Sequence, residues 1–394
     1  MRLCLICREY PPVTEYSGGI GTAFAGLAPA LAGQGHEVHV ITVGRGPTWH
    51  DVRDGVHLHV LRRPNPERLW FLEEAGWTVV VDRALTRLGR FDVVFAPEWG
   101  GELALHARKA RRGPVVTNLT TSLVQAVEVS PGWRRTRRMR VRHRVQTPLE
   151  RAQTERSQAL VASSGAILAW TRELWDVDAI PSVVIGNGVP VERVREAASG
   201  PLPAGFPDAD GPLVVFSGRL EIRKGVDVLL RAMLSVWESE PHARLVLLGR
   251  DGEWERGSMG DHLRSLAGPW SSRVHILGSQ PQARVFAALE AADVVALPSL
   301  WENYALAAVE ALALGCAVIA TTGGGYGDFI TAGENGLLVT PGDTHDLARA
   351  LLTLLSDAAL RERLGATAHA GGDRFDVDAI AAQHARFFAV VAGS

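Results

Sequence analysis

The chain has 394 residues, of which 46% are hydrophobic and 21% are charged, and its formal net charge is −2. This composition is ordinary for a soluble globular protein, and no apolar run approaches the roughly 18 residues that a membrane-spanning helix needs. The length exceeds what one compact core accommodates and predicts two domains of about 180 to 200 residues each.

The first residues and the cysteines bear on the cellular compartment. The apolar stretch that follows Met1 is too short for a signal peptide and predicts a buried first strand instead. Three cysteines cannot form a disulfide framework, and Cys4 and Cys7 fall within that strand, where packing in the core is the expected role. We therefore expect a cytoplasmic protein.

Short apolar runs alternate with helix-length segments along the first half of the chain. The apolar runs predict strands at 3–7, 37–43, 56–61, 91–95, 115–117, 159–163 and 183–185. The longer segments predict helices at 20–33, 66–88, 100–112, 134–156 and 164–175. This alternation favours a parallel sheet wrapped by helices.

The second half repeats the pattern after a segment that has no periodicity. Residues 197–212 hold four prolines and three glycines, which is typical of a domain linker. Strands are predicted at 213–217, 244–248, 273–277, 293–297, 316–320 and 336–339, and helices at 225–239, 281–291 and 304–314. We expect doubly wound domains at 1–196 and 213–375, with ligand sites at the carboxyl ends of their strands, and a C-terminal helix at 376–394 that crosses back to the first domain.

Two basic residues follow the first strand of the second domain. Arg219 and Lys224 lie between that strand and the next helix, and Lys224 is one of only two lysines in the chain. A diphosphate placed there would meet a planar fork of donors, an ammonium group and the amides of a helix N-terminus. A solvated surface turn is the alternative.

Two glutamates eight residues apart mark a second loop of the same domain. Glu302 is expected in a strand-to-helix loop, where it can accept hydrogen bonds from sugar hydroxyls, and Glu310 about two turns inside the helix, where it can hold a ribose diol. The positive end of the helix dipole also favours phosphate. The amides at this helix start belong to Asn303, Tyr304, Ala305 and Leu306. Two capping or surface glutamates are the blander interpretation.

The first domain offers two further candidate loops. Gly18 and Gly19 join the first strand to the first helix, and adjacent glycines let a backbone approach a phosphate or a sugar closely. Glu98 and Trp99 follow a predicted strand, so that Trp99 could stack on an acceptor sugar ring and Glu98 could accept its hydroxyls. A tight turn, a packed tryptophan and a helix cap are the corresponding structural alternatives.

Seven arginines lie between Arg134 and Arg144. Such a run can bind an anionic membrane surface or an anionic acceptor, and a solvated helix face is an equal alternative. Nucleic acid is not expected, because aromatic residues do not interleave the arginines.

Taken together, these motifs resemble the retaining glycosyltransferases of family 4, which have the GT-B fold of two Rossmann-like domains facing each other across a cleft. The resemblance covers essentially the whole chain. It rests on Gly18-Gly19-Ile20, 35–38, 96–101, 187–189, Gly218-Arg219, Lys224-Gly225, the segment from Glu302 to Glu310, 317–320, Gly324-Gly325 and 336–339. The motifs of the second domain are the more specific ones.

The resemblance implies a role for each candidate residue. Arg219 and Lys224 would hold the diphosphate of a nucleotide-sugar donor, Glu310 its ribose and Glu302 the transferred sugar. Backbone groups near Ile276 and Leu277 would meet the base, with uridine favoured over guanosine. The family further implies front-face transfer with retained anomeric configuration to a hydroxyl of a small molecule, a glycan or a lipid-linked acceptor.

Neither a metal nor a cofactor is expected. Asp-x-Asp triplets occur at 176–178, 208–210 and 376–378, but none follows a strand of the expected nucleotide site. One departure from the family concerns the acceptor side, where Thr120 takes the place of a common histidine. Another is Asp328, which stands where a glutamate often follows the Gly-Gly turn.

Two other functions stay open on the same fold. A nucleotide-sugar epimerase or hydrolase would use the same phosphate site. The missing histidine also leaves room for a catalytically idle subunit that binds sugar nucleotides.

Overall fold

The chain folds into two compact units, each built on a parallel sheet. A computed structural model describes residues 1–11, 13–14, 18–64, 72–108, 113–130, 137–208, 211–254 and 257–393. The first unit comprises Met1–Gly188 together with Val377–Ser394, and the second comprises Val189–Asp376.

The sheet of the first unit has eight strands in the order β3-β4-β2-β1-β5-β6-β7-β8. They are β1 (Arg2–Ile6), β2 (Glu37–Gly44), β3 (Trp49–Arg53), β4 (Val56–Arg62), β5 (Val93–Pro97), β6 (Val115–Leu119), β7 (Ala159–Ala162) and β8 (Ser182–Val184). All pair in parallel except β3, which runs antiparallel to β4 at the edge. The seven predicted strands are present, and β3 is the strand that the sequence did not predict.

The described helices of the first unit cover both faces of this sheet. They are α1 (Gly19–Gly33), α2 (Glu73–Leu88), α3 (Leu123–Glu128), α4 (Arg137–Thr154), α5 (Gly165–Leu174) and, from the chain end, α13 (Val377–Ala392). The first residues of the predicted helices at 66–88 and 134–156 lie outside the described residues, as do 109–112.

The predicted helix at 100–112 is wrong over the part that is described. Within 100–108 the only helical element is a 3-10 turn at His106–Arg108. Gly100 and Gly101 have φ values of +82° and +61°, which no right-handed helix contains. A Cβ atom on Gly101 would lie 2.4 Å from the backbone carbon of Leu149, so this close approach to α4 requires glycine.

The sheet of the second unit has six parallel strands in the order β13-β10-β9-β14-β15-β16, and a short antiparallel pair, β11-β12, lies apart from it. The strands are β9 (Leu213–Ser217), β10 (Arg244–Leu248), β11 (Glu253–Trp254), β12 (Gly257–Ser258), β13 (Val274–Gly278), β14 (Val294–Leu297), β15 (Val318–Thr321) and β16 (Leu337–Val339). The helices are α6 (Val191–Ala198), α7 (Val226–Ser239), α8 (Met259–Ala267), α9 (Gln282–Glu290), α10 (Leu306–Leu314), α11 (Thr344–Ser356) and α12 (Ala358–Ala370). The strands predicted for this half are all present.

The division between the units falls eight residues earlier than the predicted end of the first domain at 196. Helix α6 packs against α9 and α10, and it buries Val191, Val194 and Ala198 in the core of the second unit. Residues 199–208, in the predicted linker 197–212, contain no helix or strand, but they too belong to the second unit.

The C-terminal helix α13 belongs to the first unit although it follows the second in the sequence. It packs against α1, and Ile380, Ala381 and Phe388 join the same buried cluster as Phe95 of β5. The Nε2 atom of Gln34 donates a hydrogen bond to the carbonyl oxygen of Asp378 at 2.8 Å. The first unit is therefore completed by residues from both ends of the chain.

Candidate active site

Three loops meet at the carboxyl edge of the sheet in the second unit. The first follows β9, the second joins β14 to α10, and the third follows β15. The backbone nitrogen of Leu300 donates to the carbonyl oxygen of Arg223 at 2.8 Å, which ties the first loop to the second. The backbone nitrogen of Gly325 donates to the carbonyl oxygen of Glu302 at 2.8 Å, which ties the second loop to the third.

Glycine is required at both junctions. A Cβ atom on Gly225 would lie 2.0 Å from the carbonyl oxygen of Pro298, and one on Gly324 would lie 1.9 Å from that of Glu302. Both glycines have positive φ values, +68° and +95°. These positions therefore combine a backbone conformation that favours glycine with a contact that only glycine permits.

The first two of these loops bring together an alternating chain of five charged side chains. Arg219 forms an ion pair with Glu221 at 3.2 Å, and Glu221 also bonds Arg223 at 3.0 Å. Arg223 in turn lies 3.4 Å from Glu302, which also bonds Lys224. Three of the five were predicted site residues, whereas Glu221 and Arg223 were not, although both stand in the same short segment.

The electrostatic surroundings of Glu302 keep its carboxylate ionised. Burial alone would raise its pKa, but the attraction of Lys224 and Arg223 outweighs that effect and lowers the pKa to about 2. The carboxylate of Glu302 is thus a fixed negative charge held between two cations.

Glu310 has the opposite surroundings. It is 8% exposed, and its carboxylate accepts a hydrogen bond from the Nε2 atom of Gln282 at 3.2 Å. Burial raises the pKa of Glu310 to about 7, and the bond from Gln282 offsets only part of that rise. Gln282 begins α9, and nothing in the sequence pointed to it as a partner of Glu310.

The start of α10 offers backbone groups rather than side chains. Helix α10 begins at Leu306, and the first amides of a helix have no acceptor within it. The side chain of Asn303 is buried, as is Ala305. The ring of Tyr304 packs on Phe329 at a centroid distance of 4.9 Å. The groups of this segment that would suit a phosphate are therefore its backbone amides.

Ile276 and Leu277 lie at the carboxyl end of β13, the edge strand of the same sheet. Both side chains are partly buried against the core of the second unit. The carbonyl oxygen of Leu277 accepts a hydrogen bond from the Nε2 atom of Gln280 at 2.6 Å.

In the first unit, Gly18 and Gly19 lie at the N-terminus of α1. The backbone nitrogen of Gly18 donates to Glu9 at 2.9 Å. A Cβ atom on Gly19 would meet no atom within 4 Å, so the backbone there borders open space.

Glu98 is fully buried and serves the loop that contains Thr120. Its carboxylate accepts hydrogen bonds from the backbone nitrogen of Thr120 at 2.7 and 2.8 Å and from the Oγ1 atom at 3.0 Å. Burial raises the pKa of Glu98 to about 8, because these bonds offset only part of the desolvation. This carboxylate holds Thr120 and is not open to an acceptor.

Trp99, by contrast, lines a pocket of about 850 Å³ in the first unit. The guanidinium of Arg142 lies 5.6 Å from the centre of its indole ring. The charged residues that line this pocket are Arg8, Glu9, Arg45, Arg63, Glu73, Glu74, Glu102, Arg138 and Arg142. The predicted arginine run therefore reaches the pocket through α4, and its residues 134–136 lie outside the described part.

Within the pocket wall, Glu102 is buried and bonds Arg8 at 2.8 Å and the indole nitrogen of Trp77 at 3.2 Å through one oxygen. Its other oxygen has no hydrogen-bond partner among the described residues. Among all the residues that the structure describes, no group of three or more histidine, cysteine or acidic side chains is arranged to hold a metal ion.

Comparison with known proteins assigns the family. A model described as glycosyl transferases group 1 matches residues 204–370, and one described as glycosyltransferase family 4 matches residues 17–193. A phosphatidyl-myo-inositol mannosyltransferase of Mycobacterium leprae is 30% identical over 407 residues, covering 100% of this chain and 98% of the relative. The chain belongs to the group 1 glycosyltransferases.

Another relative of this glycosyltransferase is a D-inositol 3-phosphate glycosyltransferase of Xylanimonas cellulosilytica. It is 31% identical over 404 residues, covering 94% of this chain and 91% of the relative. The names of these relatives support a transferase.

Solved structures confirm the GT-B fold of the glycosyltransferase. A sucrose-phosphate synthase from Thermosynechococcus elongatus matches with a TM-score of 0.81 and 23% identity over 100% of both chains. Anabaena HepE in complex with UDP-glucose matches with a TM-score of 0.71 and 20% identity, covering 99% of this chain and 100% of that one. Within the described residues of the glycosyltransferase, no helix is long and apolar enough to cross a membrane.

Proposed function

We propose that this glycosyltransferase moves a sugar from a nucleotide diphosphate, UDP before GDP, to a hydroxyl of the acceptor with retention of anomeric configuration. Arg219 and Lys224 bind the diphosphate, Glu310 binds the ribose and Glu302 binds the transferred sugar. The observation that carries this proposal is the chain of five charged side chains in the second unit. It joins two candidate phosphate cations to the candidate sugar carboxylate.

The reaction breaks the bond between the anomeric carbon and the donor diphosphate, whose oxygen keeps the electron pair. The acceptor hydroxyl forms the new bond on the same face and passes its proton to the departing phosphate oxygen. Arg219, Lys224 and the amides at the start of α10 stabilise the negative charge that develops there. Glu302 is not the nucleophile in this proposal, because Lys224 and Arg223 already hold its carboxylate.

The same cations support a reaction without a metal ion. A divalent metal in phosphoryl and glycosyl sites neutralises the leaving diphosphate, and a guanidinium with an ammonium group can supply that charge. Neither a metal nor another cofactor is therefore part of the proposal.

The acceptor is proposed to bind the pocket of the first unit. Trp99 offers a face on which a ring can stack, and the arginines offer fork donors for a phosphate. The names of two relatives include phosphatidyl-myo-inositol and D-inositol 3-phosphate, which combine ring hydroxyls with a phosphate. We accordingly propose a polyol phosphate, free or lipid-linked, as the acceptor.

A lipid-linked acceptor would place the enzyme at a membrane surface. Arg137, Arg140 and Arg144 are exposed on α4, and a cluster of this kind attracts anionic lipids. We therefore propose a cytoplasmic enzyme that binds peripherally to the inner face of the membrane when the acceptor is a lipid.

A transfer assay tests the donor site. UDP-glucose, UDP-galactose, UDP-N-acetylglucosamine and GDP-mannose serve as donors, and myo-inositol 1-phosphate or phosphatidylinositol vesicles as acceptors, each with and without EDTA. Glu302→Ala and Lys224→Ala should each lower turnover on the order of 100-fold, because each removes a preorganised charge. The exposed Glu334→Ala is the control and should leave turnover unchanged.

The products decide between the functions. Retained configuration in the product and activity in EDTA agree with the proposal. Inverted configuration, loss of activity in EDTA, or near-normal transfer by both variants would contradict it. Donor cleavage that no acceptor accelerates would favour a hydrolase.

A further inference from the structure

Arg223 occupies the centre of the charged chain, between both of its carboxylates. Its Nη2 atom bonds Glu221 at 3.0 Å, and its Nη1 atom lies 3.4 Å from Glu302. Arg219 and Lys224, which stand at the two ends, each bond one of these carboxylates. Removal of either end residue leaves the central contacts in place, whereas removal of Arg223 separates the chain into two pairs.

The backbone and side chain of Arg223 are both attached to the Glu302 loop. Its carbonyl oxygen accepts from the backbone nitrogen of Leu300 at 2.8 Å, and its Nη1 atom donates to the carbonyl oxygen of Trp301 at 3.3 Å. The side chain is only 17% exposed. Arg223 is thus fixed to the segment that carries Glu302 at three points.

A bound donor would change the hydrogen-bond partners of Arg219 and Lys224, the two cations at the ends of the charged chain. In the proposed function, the diphosphate takes hydrogen bonds from Arg219 and Lys224, so it competes with Glu221 and Glu302 for them. Lysine carries a compact charge on a flexible stem and can turn from a carboxylate to a phosphate, whereas the guanidinium fork bonds two acceptors at fixed angles. Glu302 would then lose its ion pair with Lys224, the cation that attracts it most, at the moment when it has to orient the sugar.

We propose that Arg223 is a positioning residue that keeps the Glu302 carboxylate in place for the sugar when the donor diphosphate draws Lys224 away. The same side chain holds Glu221 when Arg219 turns to the phosphate. This role rests on the proposed function of the site, and it assigns to Arg223 no contact with the donor itself.

Without Arg223, Lys224 would be the only cation bonded to Glu302 among the residues that the structure describes. The carboxylate would then either retain Lys224 at the expense of the diphosphate or lose its fixed position. In both cases the sugar contributes less to donor binding, because its carboxylate partner is no longer preorganised. The loss should appear in the sugar part of the affinity and not mainly in the diphosphate part.

Calorimetry on the full chain measures directly how much the sugar contributes to donor affinity. For each of UDP-glucose, UDP-galactose, UDP-N-acetylglucosamine and GDP-mannose, the ratio between the Kd of the bare diphosphate and the Kd of the sugar nucleotide is determined. The donor with the largest ratio in the wild-type protein is used further. Arg223→Met should lower this ratio and the turnover by at least about tenfold each, the usual size of a hydrogen bond to a charged group.

Two further variants make the result specific. Arg223→Lys preserves the charge but can reach one carboxylate at a time, so its ratio should lie between those of the wild type and Arg223→Met. Arg195→Met is the matched control, since Arg195 on α6 likewise bonds two carboxylates, together with two carbonyl oxygens, and none of these four groups belongs to the charged chain. It should leave the ratio unchanged.

The outcomes separate this inference from the proposed function. A wild-type protein that binds no sugar nucleotide better than its diphosphate would contradict the proposed function. A wild-type ratio above one that persists in Arg223→Met overturns the role of Arg223 alone. If Arg223→Met does not fold, the test uses Arg223→Lys instead. A ratio in Arg223→Lys equal to that of the wild-type protein then overturns the inference.

Discussion

Glu302 and Glu310 are eight residues apart, and the fold gives their carboxyl groups opposite electrostatic surroundings. Two cations hold the pKa of Glu302 at about 2, whereas burial beside the neutral Gln282 raises that of Glu310 to about 7. Glu302 is therefore charged at every physiological pH, and Glu310 titrates near neutrality. Both are proposed to bind the donor, and of these two carboxylates only Glu310 should make donor binding depend on pH.

The affinity for UDP should rise with pH because of Glu310. Below about pH 7 the free protein holds this carboxyl protonated, and the ribose hydroxyls donate best to the ionised form. Binding to the protonated form therefore costs the release of a proton, and this cost disappears once the pH exceeds the pKa. Calorimetry between about pH 5.5 and 8.5 should show the affinity increasing up to about pH 7, by at most tenfold for each pH unit.

The phosphate of UDP also titrates, near a pKa of about 6, so a variant has to separate the two effects. Glu310→Gln should weaken binding by about tenfold at pH 8 and retain only the pH dependence that comes from the phosphate. Identical pH profiles for the wild type and Glu310→Gln would show that the ribose is bound elsewhere.

At the scale of elements, the donor site depends on how closely three loops approach one another. Gly225 makes one of these approaches possible, because its missing side chain leaves room for the carbonyl oxygen of Pro298. The loop after β9 carries three cations, and the loop before α10 carries Glu302. The spacing between these loops sets the distances in the charged chain.

Gly225→Ala should separate these loops and weaken UDP binding by at least about tenfold. Gly333→Ala is the matched control, because Gly333 also has a positive φ, +81° against +68°, but no atom lies within 4 Å of its added Cβ. Both variants bear the left-handed strain of about 1 to 2 kcal/mol, and only Gly225→Ala adds a clash. Denaturation curves and UDP calorimetry compare them, and equal effects of the two substitutions on UDP binding would exclude the role of loop spacing.

At the scale of the whole molecule, the first unit is completed by the last helix of the chain. Phe388 of α13 is fully buried, with its ring 5.1 Å from that of Phe95 on β5. Val390, two residues later on the same helix, is 68% exposed. The stability of the first unit should therefore depend on one face of α13 only.

Phe388→Ala should lower the free energy of unfolding of the first unit by about 3 to 5 kcal/mol, since it leaves a cavity between α13 and the sheet. Val390→Ala should change it by less than about 0.5 kcal/mol. Chemical denaturation followed by tryptophan fluorescence measures both, and a small effect of Phe388→Ala would mean that α13 is dispensable for the unit.

Much of the fold followed from local patterns in the sequence. Strands that are buried on both faces appear in the sequence as continuous apolar runs, so the parallel strands could be predicted from these runs alone. The edge strand β3 escaped prediction because its sequence, Trp-His-Asp-Val-Arg, is mixed and largely exposed. The predicted helix at 100–112 failed because Gly101 adopts a conformation that its contact with α4 requires.

The candidate site was predictable to the extent that its residues stand in short segments. Arg219, Lys224, Glu302 and Glu310 could be selected from residue type and position after a strand. The sequence could not say whether Glu98 faces an acceptor or the interior, because both are compatible with a carboxylate at a strand end. Its burial against Thr120 depends on how β5 and β6 pair.

The sequence by itself determined the family, the two parallel sheets and the chemical types of the donor-site residues, because apolar periodicity and short motifs are local properties of the chain. The tertiary structure decided which charges touch. Arg223 became the centre of the charged chain, and Glu302 and Glu310 received opposite pKa shifts, through contacts between residues up to 79 positions apart. Such contacts arise only when separate loops fold against one another, so no local pattern encodes them.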